Sequence, residues 1–182
     1  MLLSLSLALA EPLQSTAFVP RPLLGRTVAE VRGGVEGAQP LVCAEVAPHR
    51  WVSLEGCGSG AGFVYPGQDV SELVHFRAEA TLPLVDRGRF SLLAQPGLGF
   101  AELEAGADAP GFLFGEARSV DQREAAGPEL SGSLKVRAWP HERFHAAGEL
   151  SGGAAWMPAA PTVLGEGGPL VPFVQATIGL GL

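Results

Sequence analysis

Four groups of residues in this chain have types and spacings that could do chemistry. Cys43 and Cys57 could form a disulfide, and Glu45 and Glu55 a paired-carboxylate site. His141-Glu-Arg-Phe-His145 has the i, i+4 spacing of a helical zinc pair, and Gly56, Gly58, Gly60 and Gly62 look like the glycine run of a phosphate loop. The backbone under each group decides what it can do. On a helix i and i+4 share a face, but on a strand they stand about 13 Å apart, too far for one ion. Pro140 opens a turn before His141, so no metal is expected. A phosphate loop leads into a helix N-terminus. Here the run leads into Phe63-Val-Tyr-Pro66, which predicts a glycine stripe that lets a neighbouring strand come close. There is no Ser-His-Asp set with local spacing, so no catalytic residue and no cofactor is assigned.

The elements that carry these residues alternate apolar and polar side chains with period 2, the signature of a half-buried strand. Eight segments do so: residues 27–36, 40–47, 52–63, 74–84, 89–102, 131–138, 144–156 and 173–182. The fourth is the clearest, with Val74, Phe76, Ala78, Ala80, Leu82 and Leu84 set against His75, Arg77, Glu79 and Thr81. Pro96 interrupts the fifth and predicts a bulge or a lost ladder bond there. The polar faces carry Glu30, Arg32, Glu45, Glu55, His75, Arg77, Glu79, Lys135, Arg137 and Glu149, a mixed-sign set able to pair with itself. Counting outward from Arg50, Glu45 faces Glu55 and Cys43 faces Cys57. Opposed Cβ atoms about 4.5 to 5.5 Å apart make a cross-strand disulfide the expectation. The Glu45–Glu55 pair needs a cation nearby, and Arg77 on the next strand is the nearest candidate. Eight strands are enough to close a barrel whose lumen is filled by side chains, which favours an interior network over a catalytic carboxylate pair.

The connections fall into two kinds. Residues 48–50, 86–88 and 140–142 are tight turns, whereas 64–73, 103–130 and 157–170 are long; only 37–39 is short on the second side. In an up-and-down meander the tight turns share one end and the long loops the other, the asymmetry of outer-membrane barrels. Phe90 and Phe144 fall near the tight-turn end, and Phe63, Phe100 and Trp156 near the loop end, as two aromatic girdles. Trp51 and Trp139 also sit at the tight-turn end, where this register points them inward. The pattern alone is symmetric under inversion, since a soluble lipocalin-like barrel alternates in the same way with its apolar face turned in. The mixed-sign polar face and the division of the loops favour apolar-out.

On these residues the sequence resembles the small eight-stranded bacterial outer-membrane β-barrels of the OmpA membrane-domain and OmpX-like architecture. The last segment, Gln175-Ala-Thr-Ile-Gly-Leu-Gly-Leu182, looks like the C-terminal strand signal read by the barrel-assembly machinery, with Leu182 where the family usually has Phe. The resemblance implies an all-β, eight-stranded antiparallel up-and-down transmembrane barrel in the outer membrane of a Gram-negative cell, with membrane lipid as its surroundings. It carries no functional residues across.

Composition agrees. The 182 residues have a formal net charge of −7 with no basic cluster, which argues against nucleic acid. No apolar run reaches the roughly 18 to 20 residues of a membrane-spanning helix. The length suits one domain. Residues 2–9 are apolar and Ala8-Leu9-Ala10 has a small-x-small pattern, so residues 1–10 are expected to be a signal peptide, 11–26 an irregular lead-in and 27–182 the barrel. In the long 103–130 connection, Phe112, Leu113 and Phe114 are a candidate contact for a protein partner, or a cap tucked over the barrel mouth. The expected function is a non-enzymatic barrel acting structurally or through its outer loops, not a wide pore. Two alternatives remain: a lipid-modifying barrel enzyme using His145 with Ser151 or Ser133, and a soluble periplasmic carrier of an apolar ligand.

Overall fold

A computed structural model describes residues 28–59, 70–106, 123–139 and 144–182. Nine strands follow in order: β1 (Val28–Glu36), β2 (Gln39–His49), β3 (Val52–Gly58), β4 (Val70–Ala80), β5 (Leu82–Arg87), β6 (Phe90–Gly106), β7 (Arg123–Ala138), β8 (His145–Trp156) and β9 (Leu170–Gly181). Each pairs antiparallel with its neighbours, and β1 pairs with β9, so the sheet closes on itself. β4 and β5 both pair with β6 and form one stave broken at Thr81, which makes eight staves. A short helix, α1 (Ala160–Leu164), lies between β8 and β9.

The register fixes the shape. The ladder can be followed from His145 through Gly181, Glu30, Glu45, Glu55, Arg77, Gly99 and Glu129 back to β8. It returns at Ala155, ten residues above its start. Ten residues of stagger over eight strand spacings tilt the staves by about 40°, inside the range of closed barrels.

Period 2 in the sequence becomes an inside and an outside. Val31, Val46, Leu54, Leu98, Leu134, Leu150, Val174, Ile178 and Leu180 point out and are exposed, Ile178 at 76% of its surface. Glu30, Arg32, Glu45, Glu55, Arg77, Glu79, Lys135 and Arg137 alternate with them and are at most 4% exposed. This is the reverse of a soluble barrel. An all-round belt of exposed Leu, Val and Ile is stable only against hydrocarbon, where a closed sheet also satisfies every backbone donor. The soluble-carrier alternative, which needs an oily centre, loses its basis here.

The two-residue turn between β1 and β2 places Gly37 at φ 56°, and the β5–β6 turn places Gly88 at φ 61°, conformations that side chains oppose. Pro96 does not make a bulge. Its partner Gly132 follows in unbroken register, and on its other side Pro96 faces the gap between β4 and β5, where no ladder bond is needed. Thr81, at that gap, donates its N–H to Trp51 O instead (2.9 Å). The register shifts lie between Val46 and His49 and between Pro83 and Val85.

The 103–130 connection also differs from expectation, because residues 103–106 and 123–130 continue β6 and β7. Their positions of outward parity carry Glu104, which is buried, Glu124 and Pro128 in place of apolar residues, so the ladder persists where the apolar alternation stops. Phe112, Leu113 and Phe114, the expected signal peptide and lead-in, Gly60, Gly62, Phe63 and His141 lie outside the described residues. Trp51 is 42% exposed rather than inward, because it belongs to the turn and not to the ladder. Trp139 is half-buried against the ring of His145, centroids 5.4 Å apart. Phe90, Phe100, Phe144 and Trp156 are all exposed, at the two rims.

Candidate functional site

The lumen holds two layers. The lower and larger is ionic. Arg32, on β1, reaches across the barrel: Nη1 donates to Glu30 (2.7 Å) and Glu45 (2.6 Å), and Nη2 donates to Glu55 and lies 3.2 Å from Glu149. Lys135, on β7, contacts Glu45 and Glu149, the latter at 2.8 Å. Arg137 donates to Glu30 and to Glu45 (3.3 Å), and His145 Nε2 lies 2.8 Å from Glu30. One tier up, Arg77 donates to Glu55 (3.0 Å), Glu129 (2.6 Å) and Gln175 (2.9 Å). His75 stands between Glu129 (2.6 Å) and Glu36 (3.0 Å). Glu79 accepts from the Ser53 hydroxyl (3.1 Å), and Gln95 donates to Ser53 (3.1 Å).

Every fixed cation of this layer therefore touches at least two carboxylates. Such a network is costly to desolvate, and its pairing, more than its net energy, makes one arrangement unique. Glu45 faces Glu55 in register, and the cations that separate them are Arg32 and Lys135 as well as Arg77. Oxygens of Glu45, Glu55 and Glu149 converge within 4.8 Å, a spacing that suits a metal ion. The Arg32 guanidinium and the Lys135 ammonium already stand among them, so the set is neutralised from within.

The second layer, toward the loop end, is apolar. The Cys43–Cys57 disulfide (S–S 2.06 Å) packs with Leu41. Phe173 then lies over the Arg77 guanidinium (4.9 Å) and beside the His75 ring (4.6 Å). Above it, Ala101, Leu103, Ala125, Ala155, Met157, Ala160 and Val163 form one buried cluster. Helix α1 supplies Ala160 and Val163, which three-residue spacing puts on one face. Pro161, in its first turn, has no N–H to leave unsatisfied, and Met157 N–H donates to Pro169 O (2.6 Å) to close the base of the connection. The described cap over the barrel mouth thus comes from residues 157–169.

His145 and the two serines named with it are not brought together. Ser151 is six residues along the same strand from His145, about 20 Å, and it donates to Gln175 (3.0 Å). Ser133 pairs in register with Ser151 and is equally far away. Several residues of the network were missed. Glu129 falls within the expected 103–130 connection, although it shares the parity of Ser131, Ser133 and Lys135, two residues beyond where the apolar alternation of that segment begins. Gln95 and Gln175 lie on polar faces but stand outside the mixed-sign set that the sequence points to, and Glu36 joins that set through His75 and Gln175.

Solved structures share this architecture. Neisserial surface protein A aligns with a TM-score of 0.53 at 8% identity, over 86% of this chain and 93% of that one. The fold is that of an outer-membrane β-barrel. Outer-membrane-barrel likeness extends, at lower scores, to two more structures. The N-terminal β-barrel domain of Pseudomonas aeruginosa OprF aligns at 0.48, 15% identity and 85% and 94% coverage of the two chains. Ail, the attachment invasion locus protein of Yersinia pestis, aligns at 0.41, 10% identity and 86% and 95% coverage. No protein-family model and no curated protein matches the chain. In an outer-membrane barrel the wall is the anchor and the lumen need not conduct. Among the described residues, the lumen holds the ionic network through its middle and the apolar cluster toward the loop end.

Proposed function

We propose that the chain acts in the bacterial outer membrane as a non-enzymatic barrel with a structural or interaction role through its loop end, with the short turns toward the periplasm. The observation that carries this reading is the lumen. Among the described residues, buried ion pairs run through its middle, and α1 with Met157 packs into the apolar cluster at one mouth. An enzymatic role finds no support in the positions of His145, Ser133 and Ser151. Contact residues then belong at the long connections, where Phe112, Leu113 and Phe114 remain the candidates for a protein partner. Membrane lipid surrounds the belt, and the barrel-assembly machinery would insert it by way of β9.

Reconstitution into vesicles loaded with a small sugar tests the lumen. The expected result is retention of the sugar at the rate of protein-free vesicles, with the barrel present as a heat-modifiable band. Rapid efflux from vesicles that show that band would contradict the reading.

A further inference from the structure

The tight-turn rim carries a charge pattern that the lumen does not explain. Among the described residues every fixed cation inside the barrel is ion-paired, yet Arg50, Arg87 and Arg89 at this rim are exposed and have no carboxylate partner. Asp86 is the one acid among the described residues of these turns. Toward the opposite end, positions of outward parity on β4 and β6 carry Glu72, Glu102 and Glu104, all buried, and β7 carries the exposed Glu124. Among the residues whose side chains are described, the unpaired arginines are thus gathered at one end, in a chain of net charge −7.

Each of these arginine positions neighbours an aromatic residue, Arg87 as the cross-strand register partner of Phe90. Arg50 precedes Trp51, and its guanidinium lies 4.7 Å over the indole. Arg89 precedes Phe90, which is 42% exposed, and the third tight connection repeats the dipeptide in sequence as Arg143-Phe144. An aromatic ring at the interface fixes depth in the membrane. A guanidinium one residue beyond it then lies at the level of the lipid phosphates, whose geometry it matches with two donors.

We infer that the tight-turn rim is a binding ring for anionic phospholipid headgroups, with Arg50, Arg87 and Arg89 gripping phosphates of that leaflet and Trp51, Phe90 and Phe144 setting the depth. This rests on the membrane-barrel reading above. The occupant is lipid rather than free phosphate because the rings beside the arginines sit at the edge of the apolar belt. Anionic lipid near the rim is therefore enriched, and the enrichment is lost when the arginines are neutralised or screened.

The test is quenching of Trp51 by brominated lipid in reconstituted full-length protein carrying Trp139→Phe and Trp156→Phe. A second protein retains only Trp156, at the loop end. Brominated phosphatidylglycerol is compared with brominated phosphatidylcholine in mixed vesicles. The expected relative affinity at Trp51 is about threefold to tenfold for the anionic lipid, falling to about one in Arg50→Gln/Arg89→Gln and at about 1 M salt. Trp156 is expected to show no preference. The wild-type protein, with all three tryptophans, is expected to show a smaller preference with the same salt dependence, which keeps the test available if a variant does not fold. Equal quenching of Trp51 by both lipids, or a preference untouched by the arginine changes, would overturn the inference. So would its loss on adding inorganic phosphate at matched ionic strength, since the rim would then take free phosphate. A protein without heat-modifiable migration would instead count against the barrel reading itself.

Discussion

The inside of this barrel is built in two different ways along one axis. Through the middle the inward positions include Glu, Arg, Lys and His side chains paired across the lumen, while at the loop end the same parity of the same strands carries Ala101, Leu103, Ala125 and Ala155. The wall explains the difference. Where the outside faces hydrocarbon, the apolar residues are already used outward and the inward positions can carry charge, provided every charge finds a partner. At the loop end the apolar outer belt stops, with buried Glu102 and Glu104 on β6 and Glu124 on β7, and the interior there is held together by apolar burial. Specific pairing governs one region and packing the other.

Removing a charge from the first region is expected to cost most. Arg32→Met takes the shared cation from Glu30, Glu45, Glu55 and Glu149 and leaves four buried acids to the remaining Lys135, Arg137, Arg77 and His145, and a loss of about 3 to 5 kcal/mol is expected. Urea unfolding in vesicles, followed by tryptophan fluorescence, measures it. Adding Glu55→Gln is expected to restore part of that loss, because the two residues share one network. If Arg32→Met were silent, the middle layer would be no network at all. In the second region, Met157→Ala opens space beneath α1 and is expected to cost about 2 to 3 kcal/mol in the same measurement, with no rescue by charge changes. An equal cost for the two substitutions would erase the distinction between the layers.

Much of this was legible in the sequence for a physical reason: a strand has only two faces, so one correctly placed residue fixes the side of all the others. The pairing of Cys43 with Cys57 and of Glu45 with Glu55 followed from one turn at Arg50. The alternation failed as a guide where the outward positions ceased to be apolar. Glu104, Glu124 and Pro128 look like loop because the test for a strand was an apolar outer face, and Glu129 was lost with them. Helix α1 was also hidden, since five residues are too few for a helical period to declare itself. The partners of each acid depend on the stagger around the barrel, which no single hairpin reveals. Arg32 therefore went unnoticed as the hub of the network, and Arg77, one strand away from Glu55, stood in its place.

The most direct measurement is a nitroxide scan of β9 in vesicles, one position at a time from Val174 to Leu180, comparing collision with oxygen and with a water-soluble nickel chelate. Oxygen accessibility is expected to peak at Val174, Ala176, Ile178 and Leu180 and to fall at Gln175 and Thr177, with the nickel reagent excluded from the middle of the strand. A flat profile, or peaks at Gln175 and Thr177, would contradict a barrel that turns its apolar face to lipid and its charges inward.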